Sequence, residues 1–352
     1  MRGKMLAVIG GQYGSEGKGV IVNHIADQYG LYIRVGSPNA GHTFYWRGEK
    51  HVMQSIPCGW TNPNAVIMIG RGSLINMDLL MREIRHIEGY YPNFRKRLII
   101  DAKAGILDER FHNEEGGVNG EMHKRIGSTG EGVGPARVAR INRNPLEFRF
   151  FDDVAFGYGL KECMYENTPR LIAEMQDSGV NILLEGTQGS GLSLIHGPWP
   201  YVTSIDTNAA QILAECGIAP RRLTNTILVT RTFPIRVAGN SGPMNEEISW
   251  YDMSSRFGRE IQEKTTVTKK VRRISKWDSE LFRQSVLLNS PSSIALTFAD
   301  YVDPSIEGKT DATALTPKVR EFIAMVEKCG GASVSMVGTG GPECSVIDIG
   351  EV

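Results

Sequence analysis

The chain has 352 residues, longer than most single domains but within the range that elaborate α/β enzymes reach as one body with insertions. Lys plus Arg and Asp plus Glu both number 39, so no global field draws the chain to nucleic acid or to an anionic membrane, and any anion recognition has to be local. No apolar run nears the roughly 20 residues that span a bilayer, no secretory hydrophobic stretch opens the chain, and the five scattered cysteines form no Cys-x-x-Cys pair, which argues for reduced thiols in a cytoplasmic protein.

In chain order, the apolar run at 5–9 predicts a buried strand. It leads into Gly-Gly-Gln-Tyr-Gly-Ser-Glu-Gly-Lys-Gly at 10–19, and an apolar-periodic stretch at 20–25 predicts the helix that follows. Strand, glycine-dense turn and helix make a phosphate cradle. Backbone N–H groups approach the anion where no Cβ blocks them, the helix start adds its dipole, and Lys18 adds a full charge. The loop is neither of the common templates. Gln12 and Gly19 occupy the Walker A positions for glycine and hydroxyl, and Gly10, Gln12 and Tyr13 break the Gly-x-Gly-x-x-Gly spacing. A tight turn explains one or two glycines, not five with a lysine. Ser15 stands beside Glu16 and Lys18, a place suited to a carboxylate in a nucleotide enzyme.

Residues 34–43 read Arg-Val-Gly-Ser-Pro-Asn-Ala-Gly-His-Thr. His42, with Asn39, Gly41 and Thr43 around it, is a candidate general acid or phosphoryl ligand. A strand is predicted at 66–69, a helix at 79–87 and a strand at 98–100. The stretch 126–140 sets Ser128 and Thr129 among glycines, which suits a monophosphate, and ends at Arg140, able to make a bidentate contact. After a predicted helix at 168–175 and strand at 182–184, Gln188 and Thr203 offer an amide and a hydroxyl for a base edge or a phosphate. Beyond a strand at 226–229, residues 264–278 carry Lys269, Lys270, Arg272 and Arg273 among Thr265, Thr266 and Thr268, a loop suited to a small carboxylate substrate. A strand at 293–296, a helix at 317–327 and a strand at 333–337 complete the pattern.

Short, nearly continuous apolar runs alternating with helical patterns predict an α/β fold, a mostly parallel central sheet with helices on both faces. Loops at 10–19, 70–76, 185–191, 231–240, 297–300 and 338–342 follow the candidate strands and are placed to converge on one crevice. Without a repeat, low-complexity tract or linker, residues 1–352 read as a single catalytic domain.

These loops together resemble the adenylosuccinate synthetase family over nearly the whole chain. Gly14–Gly19 match its Gly-Asp-Glu-Gly-Lys-Gly loop, and Asn39-Ala-Gly-His-Thr43, Ser128-Thr-Gly through Gly134-Pro135, Glu185-Gly-Thr-Gln-Gly189, Tyr201-Val-Thr203 and the basic threonine loop follow in family order. The length is similar to the compact archaeal form. The resemblance implies a P-loop-NTPase-like fold with insertions and a Mg²⁺-dependent ligase that joins aspartate to C6 of a purine monophosphate. The 6-oxo group first takes the γ-phosphoryl group of a nucleoside triphosphate; the amine of aspartate then displaces phosphate. It further implies nucleotide contacts from Gly14, Ser15, Glu16, Gly17, Lys18, Gly19, Gly41, His42, Thr43, Asp300, Gly338, Gly340 and Pro342, with Lys18 and His42 stabilising the transferred group. Ser15, Asn39, Ser128, Thr129, Gln188 and Thr203 fall at purine monophosphate positions, with Arg140 reaching in from a second subunit of a homodimer. Thr268, Arg272 and Arg273 fall at aspartate positions, in a loop that departs from the family spacing. Gly41 and position 15 are where the family holds Mg²⁺.

Two departures bear on the substrate. Ser15 replaces the family's catalytic aspartate, and Phe298 replaces the lysine of the base-reading Thr-Lys-x-Asp motif that ends at Asp300. Both resemble the phage 2-aminoadenylosuccinate synthetase branch, which acts on dGMP and uses ATP or dATP. That resemblance places the enzyme in the host cytoplasm, with Ser15 making room for the 2-amino group of guanine. The alternatives are an ordinary synthetase using IMP and GTP, and a purine-nucleotide-binding protein without catalysis.

Overall fold

Ten strands assemble one sheet: β1 (Met5–Gly10), β2 (Leu31–Arg34), β3 (Val66–Ile69), β4 (Leu98–Asp101), β5 (Met164–Tyr165), β6 (Ile182–Gly189), β7 (Asn225–Arg231), β8 (Ser293–Thr297), β9 (Val334–Gly340) and β10 (Ser345–Asp348). The computed structural model describes residues 1–116, 120–265 and 269–350. The lateral order is β10-β9-β8-β7-β1-β6-β2-β3-β4-β5. Neighbours run parallel except β9 and β10, which pair antiparallel at the edge.

The predicted α/β architecture is the one observed. β1 is buried along its whole length because β6 and β7 flank it and helices cover both faces. Its side chains alternate. Leu6 and Val8 pack with Ile21, Val22, Trp60, Leu80 and Ile84 on one face, and Met5, Ala7 and Ile9 pack with Ile212, Leu213, Phe282 and Val319 on the other. A smaller cluster of Phe111, Val133, Ala136 and Phe148 supports helix Val133–Asn142 outside the sheet.

Each apolar run named from the sequence lies in a strand, save that the last begins at Val334 rather than at 333, and the three helical patterns lie in Met77–Glu88, Thr168–Asp177 and Pro317–Gly330. Each of these helices starts at a side-chain cap: Asn76 accepts from Leu79 N–H, Asn167 from Arg170 N–H, and Thr316 from Val319 N–H. The stretch at 20–25 lies mostly in helix Lys18–His24. Three strands of this sheet escaped the sequence reading, β2, β5 and the antiparallel β10, as did the short strands outside it. Among the described residues, no helix is long and apolar enough to cross a membrane.

The chain builds β1 to β5 outward, then returns to insert β6 between β1 and β2 before placing β7 on the far side of β1. Strand order therefore reverses around β1, and ligands in such sheets bind beyond the carboxyl ends of the strands at that switch point.

Candidate active site

A cleft of about 220 Å³ opens there, lined by the loops after β1, β2, β6 and β7 and by residues 122–134. It gathers Gly14, Ser15, Lys18, Asn39, Gly41, His42, Ser128, Thr129, Gln188, Thr203 and Arg272 from the predicted set.

Gly14, Ser15 and Gly17 all have positive φ (86°, 60° and 89°), so the phosphate loop turns tightly before helix Lys18–His24, whose first amides have no side-chain cap. Ser15 is exposed to the cleft and its hydroxyl makes no hydrogen bond among the described residues. Glu16 turns the other way. Its buried carboxylate accepts from the N–H groups of Gln12 (3.0 Å) and Gly14 (2.8 Å), and from Lys18 Nζ (2.7 Å). Lys18 also donates to the carbonyl of Gln188 at 2.5 Å. Gly10 and Gly189 leave the space this needs: a Cβ at either would lie within 2.6 Å of a Glu16 carboxylate oxygen. Glu16 thus stands behind the loop.

His42 lies at the start of the strand His42–Trp46 with its ring buried. Its Nδ1 is 2.5 Å from Glu185 Oε1, while its Nε2 has no partner among the described residues. Arg34, the last residue of β2, donates to the same carboxylate at 3.1 Å, and the Cys58 N–H donates to its other oxygen at 2.7 Å. Burial, helped by the nearby Arg34 charge, holds the imidazole down at about 4 against the pull of Glu185. Burial alone would raise Glu185, but His42, Arg34 and the Cys58 N–H outweigh it and hold the carboxyl at about 2. The ring is therefore neutral near pH 7, its Nδ1–H donated to Glu185 and its Nε2 lone pair left free.

The monophosphate-type loop is shaped from below. Both oxygens of the buried Glu115 are used, one accepting from the Ser128 hydroxyl and the other from Gly132 N–H. Across the cleft Gln188, at φ 61°, donates from Nε2 to Thr203 Oγ1 at 2.7 Å.

The other predicted residues group differently. Asp300 is buried against Gly340, where a Cβ would lie 2.5 Å from its carboxylate. Gly17 and Gly338 both face Thr297, so this second group adjoins the phosphate loop rather than the main cleft. Burial pushes Asp300 up to about 7, and its Oδ1 has no partner among the described residues. Phe298 also has positive φ (57°), and its ring lies 3.8 Å from the guanidinium carbon of Arg231, which pairs with Glu263. Arg273 is committed to Glu247. Arg140 points away from its own cleft, toward Phe148, Phe150 and the carbonyls of Arg71 and Lys103. Thr268 lies outside the described residues.

Four residues that the sequence reading left without a role organise the cleft: Arg34, Glu115, Glu185 and Arg236. Glu185 was within reach, since it opens a quoted motif at the end of an apolar run. The others lacked a local signal.

Two segments, residues 7–157 and 154–307, match the family model described as adenylosuccinate synthetase. The chain belongs to the adenylosuccinate synthetase family. It is therefore a ligase of the kind that forms a C–N bond in purine biosynthesis. The synthetase of Methanococcus maripaludis is 36% identical over 97% of this chain and 98% of its own length. That of Thermococcus sibiricus is 35% identical over 98% of each. Among solved structures, the cyanophage S-2L succinoaminodeoxyadenylate synthetase, PurZ, bound to dGMP and to dATP as an energy donor, superposes with a TM-score of 0.82 at 29% identity, covering 99% of this chain and 96% of that one. The fully ligated Plasmodium falciparum synthetase superposes at 0.84 with 20% identity over 99% and 100% of the two chains, a likeness of fold.

Proposed function

We propose that this synthetase joins L-aspartate to C6 of dGMP, using ATP or dATP and a 6-phosphoryl intermediate, to give N6-succino-2-amino-2′-deoxyadenylate. The observation that carries the reading is Ser15, a small residue facing the cleft with an uncommitted hydroxyl at the turn of the phosphate loop. A carboxylate there would crowd the amine of guanine beside N1. The likeness to a phage enzyme bound to dGMP and dATP supports the same substrates.

The chemistry asked of the cleft is consistent with its parts. An amide-like oxygen leaves poorly until phosphorylated, so the phosphoryl group must be oriented and its charge met. His42, fixed through Nδ1 against Glu185, would meet that charge only in its protonated form, with Nε2–H as the donor, so the arriving phosphoryl group has to raise the imidazole from about 4. Asn39, Thr129, Gln188 and Thr203 are the polar groups for the monophosphate and base, and Arg272 is the cation for aspartate. Gly17, Gly338, Asp300 and Gly340 outline the neighbouring place for the triphosphate donor.

The donor set suits Mg²⁺ held chiefly by substrate phosphates, because the loop carboxylate of Glu16 is consumed and Ser15 and Gly41 offer neutral oxygens. When bound, the ion would neutralise charge between the phosphates. Helix Val133–Asn142 exposes Val138 and Ile141, 57% and 72% accessible, beside Arg140. A second copy packed on this helix would receive Arg140 at its own cleft.

The archaeal relatives at 35–36% identity favour a second reading, an ordinary synthetase using IMP and GTP. Purified protein with Mg²⁺ and aspartate, offered dGMP or IMP and ATP, dATP or GTP, separates the two by product mass. Conversion of dGMP with ATP or dATP is expected; conversion of IMP alone would remove the leading assignment.

A further inference from the structure

Arg236 belongs to the two-residue strand Ile235–Arg236, which pairs antiparallel with Arg273–Ser275, and it forms part of the cleft wall. It is 2% exposed. Its guanidinium lies 4.2 Å over the ring of Tyr13, from the phosphate loop. It donates to the carbonyls of Tyr201 at 2.9 Å and Pro243 at 3.3 Å, and its buried Nε has no partner among the described residues.

Among the buried arginines Arg34, Arg231 and Arg236, what distinguishes Arg236 is the missing acid. The buried or half-buried Arg34, Arg231 and Arg273 have Glu185, Glu263 and Glu247 as ion-pair partners. Arg236 has no carboxylate within ion-pair distance among the described residues; carbonyl dipoles and the ring and hydroxyl of Tyr13 surround it instead. Burial of a cation without a counter-charge is unfavourable, so such a site is completed by an anion that arrives. Arg272 lines the same cleft and likewise has no ion-pair partner among the described residues, though Glu263 acts on it from farther off. Two unmatched guanidiniums therefore face one cleft. The substrate with two carboxylates is aspartate, whereas the monophosphate has the separate cradle of Ser128 and Thr129.

We infer that Arg236 binds one carboxylate of the amino-dicarboxylate substrate while Arg272 takes the other. Arg236 supplies the fixed cation, oriented by Tyr13 and Tyr201, and Arg272 supplies the one borne by the basic loop. The assignment rests on the ligase reading but not on dGMP, because either purine monophosphate would use the same aspartate site.

The test compares wild type, R236M and R236K, using whichever purine monophosphate the wild type converts, with succinate as a competitive probe. In R236M, loss of a charge-assisted contact should raise the KM for aspartate and the inhibition constant for succinate by roughly 10- to 100-fold, with the KM of both nucleotides held within about twofold. R236K, with the charge but not the fork, should lie between. Calorimetric binding of succinate to the monophosphate-loaded protein gives the same comparison should the wild type convert neither purine, so failure of the ligase reading is seen separately. An unchanged aspartate KM and succinate affinity in folded R236M overturns the assignment, as does a rise confined to the monophosphate. If R236M does not fold, wild-type constants in R236K overturn it equally.

Discussion

His42 and Glu185 meet at 2.5 Å between ring Nδ1 and carboxylate, and Arg34 shares the same oxygen at 3.1 Å. The carboxylate fixes the orientation of the ring, and the guanidinium keeps the carboxylate ionised inside the protein. The same oxygen thus serves both the His42 ring and a buried ion pair.

Glutamine removes the charge but keeps an oxygen that can accept a hydrogen bond, whereas leucine removes both. E185Q should lower kcat by roughly 10- to 1,000-fold with little change in the KM of any substrate, because the ring loses its fixed tautomer. Both variants should unfold more readily, E185L by about 3–5 kcal/mol and E185Q by less, because Arg34 is left buried without a counter-charge and only the amide still offers it an acceptor. Steady-state kinetics and denaturant unfolding check both. A folded E185Q with wild-type kcat would remove Glu185 from the catalytic assembly.

S15D places a carboxylate where the proposed dGMP site needs room. The ratio of kcat/KM for dGMP to that for IMP should fall by roughly 10-fold or more, at least about 1.4 kcal/mol of discrimination. Competition between the two monophosphates in one reaction measures it directly. An unaltered ratio counts against the steric account of Ser15.

Asp300 gives the stability a pH dependence whose sign follows from its burial. The folded protein holds this carboxyl proton up to about 7, against an ordinary value of 3.8, so it binds the proton more tightly than the unfolded chain. The stabilisation is complete below the ordinary value and is lost as pH rises through about 7. D300N should therefore gain on wild type between pH 4 and 8, by up to ~4 kcal/mol. Urea unfolding of both proteins at the two ends of that range tests this, and a difference that does not vary with pH would refute it.

R140A should impair the monophosphate step while leaving its own cleft intact, since Arg140 contacts no residue there. The KM for the monophosphate should rise roughly 10- to 100-fold, the size of one lost charge-assisted contact. Mixing R140A with H42N, each weak alone, should restore activity through mixed dimers having one complete site. No recovery on mixing, with dimers present, would argue against contribution across subunits.

The parts of the molecule that were readable in advance share a physical reason. β1 and the loop after it are continuous in sequence, so the strand, the glycines and Lys18 announce themselves together. β2 is only four residues long, too short for a periodicity, yet its last residue Arg34 sets the charge state at Glu185. Partnership across the sheet was harder still. Arg272 and Arg273 look equivalent in a basic loop, but Arg273 faces Glu247 on a neighbouring strand and Arg272 does not. Glu16 sits in the expected nucleotide loop, but its carboxylate binds the amides of that loop, so only its backbone is left for a phosphate. Such assignments depend on which side chains meet, and spacing along the chain carries no record of that.

If Lys18 serves the triphosphate in the proposed reaction, the Glu16–Lys18 pair has a consequence for turnover. An arriving triphosphate does not find a bare ammonium; it has to compete with a carboxylate already in place. The pull on the nucleotide is weaker for that. When the spent diphosphate departs, however, the lysine returns to a ready counter-ion, so release leaves behind no stranded charge to slow the next cycle.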